Sequence, residues 1–157
     1  MVKTNIVLGY IVKGNKILLL NRNKPPYKDY WCLVGGKIKL GEHFDNALLR
    51  EVLEETNLKF EKSIFLGLGS EVIKENDIVK EHWLMMSFLL KCENDSEMKA
   101  SDEGDIQWFD LNNLPKNVFP SDKRMIEEYL IKKTNSHLFF EVEEKNGEYE
   151  VNERVIQ

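Results

Sequence analysis

Apolar residues run through Ile6–Val12 and Ile17–Leu20, parted by Lys13-Gly14-Asn15-Lys16. That arrangement predicts two strands and a tight turn. Asn21–Tyr30 is polar and contains Pro25-Pro26, so it reads as a loop. Trp31–Val34 is a short apolar strand end that runs into Gly35-Gly36. His43–Thr56 has neither Gly nor Pro, and its Phe44, Ala47, Leu48 and Val52 recur at helical spacing. The pattern predicts a helix. Asn57 follows it, and Asn is second to Gly in accepting the left-handed position beyond a helix end. Ser63–Ile73 and Glu81–Cys92 read as strands joined by the charged stretch Lys74–Lys80. Glu93–Gly104 reads as a solvated loop, Ile106–Phe109 as a short strand, and Leu111–Pro115 as a turn. Ser121-Asp122 caps and opens a second helix, Lys123–Lys133, with Met125, Ile126, Tyr129 and Leu130 on one face. Leu138–Val142 and Tyr149–Ile156 flank Asn146-Gly147, a strong hairpin signal. The expected architecture is a mixed sheet with two helices, one α+β domain over residues 1–157.

Charge narrows the possible partners. Asp and Glu number 27 against 22 Lys and Arg, a net charge of −5. Polymeric nucleic acid calls for a basic face, so it is not the expected partner. A small phosphorylated substrate is compatible, because a metal ion can supply the positive charge. Cys32 and Cys92 have no metal-type spacing and read as reduced thiols of a cytoplasmic protein. The first twenty residues lack a basic leader and cleavage site. The longest apolar stretch there, Ile6–Val12, is far shorter than the ~20 residues of a membrane span. A monomer and a homodimer are equally compatible with this sequence.

Candidate chemistry concentrates in Gly35–Leu58. Glu51, Glu54 and Glu55 stand at i, i+3 and i+4 and share one helix face. Like charges at these spacings each oppose an isolated helix by ~0.2–0.5 kcal/mol. A divalent cation between the carboxylates turns repulsion into coordination, and ligands that are all oxygen favour Mg²⁺ or Mn²⁺. Arg50 is four residues before Glu54 and can pair with it. Gly35-Gly36 permits backbone geometry closed to other residues. The competing interpretation is an ordinary solvated amphipathic helix with an acidic stripe.

The wider spacing favours the chemical interpretation. Gly36, Glu42 and Arg50-Glu51-Val52-Leu53-Glu54-Glu55-Thr56-Asn57-Leu58 resemble the box of the Nudix hydrolase family, G-x5-E-x7-R-E-U-x-E-E-x-G-U with U apolar. Asn57 stands where the pattern has its last Gly. The resemblance implies a Nudix fold, a mixed sheet sandwiched between helices (an α/β/α sandwich). It also implies Mg²⁺, with Mn²⁺ as a substitute, held on a diphosphate by the Gly35 carbonyl, Glu51, Glu54 and Glu55. Glu51 is the first choice of base, Arg50 orients the glutamates, and Glu42 has a structural or helix-entry role.

Beyond the box the chain resembles MutT-type members and those acting on oxidised purine nucleoside triphosphates. Ser101-Asp102-Glu103, Trp108-Phe109 and Leu114-Pro115 are similar to a family segment whose glutamate assists at the metal. This makes Glu103 a fifth ligand or alternative base. Val118–Asp122 resembles a base-holding segment, with Phe119 stacking on the base and Asp122 reading its edge. Thr4 and Arg22 fall at substrate contacts, and Cys32, Val34, Gly36 and Lys37 complete the implied substrate set. The implied reaction is Mg²⁺-dependent cleavage of a nucleoside triphosphate, with 8-oxo-dGTP the first substrate to test. The same chemistry on another nucleoside diphosphate derivative is the alternative. ADP-ribose enzymes fit less well, since they usually carry a proline after the box and none lies between Pro26 and Pro115. Diadenosine polyphosphate enzymes fit less well too, since they often carry a tyrosine in a similar place and none lies between Tyr30 and Tyr129. A non-catalytic ligand sensor is the third reading, disfavoured by an intact set of charged box positions.

Overall fold

The computed structural model describes residues 2–156. Strands β1 (Val2–Lys13), β2 (Lys16–Arg22), β3 (Trp31–Cys32) and β4 (Val34–Lys37) precede helix α1 (Phe44–Thr56). The strands β5 (Ile64–Glu75), β6 (Ile78–Lys91) and β7 (Gly104–Asp110) follow. Helix α2 (Pro120–Ile126) passes into a π-helical turn (Glu127–Ile131), and β8 (His137–Lys145) and β9 (Glu148–Ile156) close the chain. They form one mixed sheet in the order β3-β2-β1-β6-β5-β8-β9, with β4 paired to β1 and β7 to β2. β1 runs parallel to β6 and antiparallel to β4, Leu8 lying opposite Gly35.

Alternation along β1 explains the layers, because successive side chains face opposite sides of a sheet. Ile6, Leu8 and Tyr10 face α2 and pack with Met125, Ile126 and Tyr129. Val7 and Ile11 face α1 and pack with Ala47, Leu48 and Val52. Helices thus cover opposite faces, as the resemblance implied. Among the described residues no helix is long and apolar enough to cross a membrane.

Several boundaries differ from the sequence expectation. The β5–β6 connection is not the whole of Lys74–Lys80. It is the two-residue turn Asn76-Asp77, with φ of 51° and 64°, and this left-handed pair suits the twist of a hairpin. Asn146-Gly147 makes the β8–β9 turn in the same way, as expected. The second helix starts at Pro120, whose ring suits the first helical position. Ser121 and Asp122 consequently lie inside the first turn and cap nothing. The helix also widens at residue 127, where Lys132 N–H donates to the Glu127 carbonyl at 2.8 Å. Tyr129 in this turn packs against Gly67, where a Cβ would lie 2.5 Å from the phenol oxygen. The first helix ends as expected, with Asn57 left-handed at φ 59° and its N–H donated to the Leu53 carbonyl.

Candidate active site

Gly35 and Gly36 lie in β4, edge-on to α1. Neither needs a positive φ, so the expected conformational licence is not their role. Close approach is. A Cβ on Gly36 would lie 2.4 Å from the Glu51 carboxylate, and one on Gly35 would lie 2.0 Å from the Val7 carbonyl oxygen. The missing side chain of Gly36 admits Glu51 between helix and strand, and that of Gly35 lets β4 lie close against β1.

Arg50 organises the carboxylates. Its Nε and Nη2 donate to the two Glu42 oxygens, both at 2.8 Å, and Nη1 donates to Glu51 Oε1 at 2.6 Å. Weaker contacts reach Glu54 Oε2 at 3.4 Å and the Lys37 carbonyl at 3.0 Å. A planar guanidinium suits such a fork, and ammonium does not. Glu42 is therefore an anchor for Arg50, which agrees with a structural role. Hydrogen bonds from Arg50 and from the Lys39 N–H hold its carboxyl down at about 2. Pairing with Glu42 and Glu51 in turn raises Arg50.

Glu51, Glu54, Glu55, Asp102 and Glu103 line one groove with Arg22, Gly35, Gly36 and Lys37. Glu55 Oε2 accepts the Gly35 N–H at 3.1 Å. Burial pushes Glu55 up to about 8, and the neighbouring Glu51 and Glu103 charges add to the shift. Glu103 pairs with Lys24 at 3.1 Å at the groove rim. The donors are hard oxygen atoms with excess negative charge, a set suited by type to Mg²⁺ or Mn²⁺. Among the described residues, however, no three acidic, His or Cys side chains converge as a ready metal cluster.

A cleft of about 240 Å³ opens beside the groove, on the α2 face. Arg22, Gly35, Gly36 and Lys37 line both spaces. Arg22 Nε donates to the Pro26 carbonyl at 2.7 Å, tying β2 to the loop over the cleft. Cys32 and Asp122 line the cleft as expected. Asp122 Oδ2 accepts the Leu33 N–H at 2.7 Å, and burial raises this carboxyl to about 6. Burial also raises the Cys32 thiol, which favours its protonated form. Alternation along β6 brings Glu81, Trp83 and Met85 to the cleft, while Met86 packs on the opposite side.

Three expected substrate contacts are not placed there. Phe119 is wholly buried and stacks on Tyr27, with ring centroids 3.5 Å apart. A protein ring already occupies the position assigned to a base. Val34 is wholly buried on the α1 side, because alternation turns it away from the cleft. Thr4 is buried beside Trp83 in the sheet register and is not among the lining residues. Sequence reasoning in turn passed over Tyr27 and Glu71. Glu71 left one usable signal, a charged residue on the strand face that also carries apolar Ile73.

Residues 3–129 match the NUDIX domain family model, and the chain belongs to the Nudix family. It is a Nudix hydrolase. The chain is 37% identical over 123 residues to an ADP-ribose pyrophosphatase of Methanocaldococcus jannaschii, covering 78% of this chain and 70% of the relative. It is 29% identical to an oxidized purine nucleoside triphosphate hydrolase of Danio rerio, covering 70% and 68%. The fold matches the MutT protein of Bacillus halodurans with a TM-score of 0.76, at 22% identity and 97% coverage of both chains.

Proposed function

We propose that this chain is a Mg²⁺-dependent pyrophosphohydrolase that binds the base of a purine nucleotide in the cleft and cleaves its phosphoric anhydride in the groove. A nucleoside triphosphate, including an oxidised purine such as 8-oxo-dGTP, is the leading substrate, and the products are a monophosphate and pyrophosphate. The observation that carries this reading is the continuity of the two spaces through Arg22, Gly35, Gly36 and Lys37. A base seated on one face of the sheet thereby has its phosphates beside the carboxylates on the other. ADP-ribose is the second reading, favoured by the 37% identical relative of that name. The buried free thiols and small-molecule substrate suit the cytoplasm.

Glu51, Glu54, Glu55, Glu103 and the Gly35 carbonyl are the proposed metal-holding set. Mg²⁺, when bound there, supplies charge neutralisation and an acidified water. The protein's own contribution is positional. Arg22 and Lys37 hold phosphate oxygens. Arg50, clamped by Glu42, orients Glu51, which takes the proton of the attacking water, with Glu103 as the alternative base. Phosphoryl transfer rests mainly on such positioning and electrostatics. Glu54→Gln and Glu55→Gln keep side-chain shape but remove ligand charge. Each is expected to lower kcat/KM at least about tenfold, a loss typical of weakened metal sites. Turnover near the wild-type rate in both variants contradicts the metal assignment.

A further inference from the structure

Besides Asp122 and Glu81, the cleft contains a third carboxyl. Glu71, on β5, is 1% exposed and lines the cleft. Its Oε1 accepts both the Tyr27 hydroxyl at 2.7 Å and the Ser121 hydroxyl at 3.1 Å. No partner for Oε2 is found among the described residues. Asp122 repeats the arrangement, with Oδ2 used by the Leu33 N–H and Oδ1 without a protein partner among those residues. Both carboxyls therefore keep one protein-free oxygen in a cleft flanked by the aromatic Trp83 and Tyr27.

Core packing does not account for Glu71. A buried carboxyl without full partners is costly, and a hydrophobic or amide side chain would serve the fold better. Glu71 and Asp122 face the same space, so ionising both is opposed by their mutual repulsion as well as by burial. Other titratable groups facing this space are Tyr27 from the loop, Cys32 from β3, Lys37 from β4, Glu81 from β6 and Arg22 from β2. Of these, Arg22 and Lys37 are positive, and the Arg22 Nε is committed to the Pro26 carbonyl.

Resting on the nucleotide reading above, we propose that Glu71 is a base-reading residue. Its Oε2 carries a proton and donates it as a hydrogen bond to a nucleobase acceptor, while Asp122 Oδ1 accepts from the adjacent N–H. Two donors already occupy Oε1, which leaves Oε2 as the site for the proton. The ligand class is a nucleobase edge with a donor beside an acceptor, and the purine 5′-nucleotides GMP and AMP present one. Burial and the Asp122 charge hold Glu71 at about 8, while Asp122 stands at about 6. Between these values Glu71 is a donor and Asp122 an acceptor. Above about pH 8 Glu71 loses its proton, and affinity declines.

The test is calorimetric titration of the full chain, without metal, using GMP and AMP from pH 6.5 to 9. Wild-type is expected to bind at least one purine monophosphate about tenfold more weakly at pH 9 than at pH 7. Glu71→Leu loses at least tenfold at pH 7. Glu71→Gln keeps a donor on the amide nitrogen, retains binding at pH 7 and loses the alkaline decline. The same decline in Glu71→Gln as in wild-type overturns the proposal, as does wild-type affinity in Glu71→Leu or no monophosphate binding at all. Normal pH-dependent binding by a chain that hydrolyses no nucleotide defeats the catalytic reading instead and leaves this assignment intact.

Discussion

A methyl group on Gly35 and one on Gly36 would do different damage, although the two residues are neighbours. On Gly35 it meets backbone, the Val7 carbonyl at 2.0 Å, and can be relieved only by moving β4 away from β1. On Gly36 it meets the Glu51 carboxylate at 2.4 Å, which can swing aside on its flexible stem. Gly35→Ala is accordingly expected to lower stability, by roughly 1–3 kcal/mol as for other overpacked sites. Gly36→Ala is expected to leave the melting temperature nearer wild-type and to lower kcat by displacing Glu51 from Arg50. Melting curves and single-substrate kinetics on both variants check this. An equal loss of stability in the two, with kcat preserved in Gly36→Ala, would count against the assignment of Glu51 to the catalytic groove.

The box helix shows how local chemistry carries over into geometry at the scale of an element. Thr56 donates to the Val52 carbonyl at 2.6 Å and accepts the Leu58 N–H at 3.2 Å, closing the last turn. Asn57 adopts the left-handed conformation, and its side-chain amide donates to the Glu97 carbonyl at 2.8 Å. The helix end is thus fastened to the loop leading to Glu103. Asn57→Ala is expected to cost about 1–2 kcal/mol through the left-handed backbone alone. Asn57→Gly should cost less, since it relieves that strain and loses only the side-chain bond. Chemical denaturation would show the order, and a glycine variant less stable than the alanine variant would refute it. This element was legible because all its determinants are close in sequence: apolar spacing, charge spacing and an end residue. The second helix was less so. Ser121-Asp122 resembles a cap, but Pro120 starts the helix one residue earlier, and both side chains turn inward to Glu71 and Leu33. The β5–β6 turn was misjudged because its strands are charged where they leave the core, and charge alone does not mark a loop.

The sheet relates groove and cleft across the whole molecule. α1 supplies glutamates on one face, and β6, β5 and α2 build the cleft on the other. At Gly35 and Gly36 no side chain separates them, so the same short strand borders both. Most of the groove could be read from the sequence because Gly35, Gly36, Glu51, Glu54 and Glu55 share one continuous segment, while Glu103 came from the resemblance. The cleft could not, since Leu8, Tyr27, Cys32, Glu71, Trp83 and Asp122 come from separate segments. Resemblance grouped Arg22, Asp122 and Phe119; the first two line the cleft, and Phe119 lies buried against Tyr27. An aromatic residue in the expected position says nothing of whether Tyr27 already covers its ring. Strand alternation, by contrast, puts Trp83 and Met85 on the cleft face and Met86 on the other, because period two is a property of the backbone itself.

The central claim is that the acidic groove and the cleft serve one nucleotide. Its most direct test is initial-rate kinetics with Mg²⁺ on 8-oxo-dGTP, dGTP, ATP, ADP-ribose and diadenosine tetraphosphate, with every product identified. Hydrolysis is expected to stop on chelation of the metal, with a nucleoside triphosphate as the best substrate and pyrophosphate and a monophosphate as its products. A preference for 8-oxo-dGTP over dGTP of at least about tenfold corresponds to about 1.4 kcal/mol of discrimination by the cleft. ADP-ribose as the best substrate would move the specificity to the second reading and keep the groove's chemistry. No metal-dependent hydrolysis of any of these compounds would contradict the account.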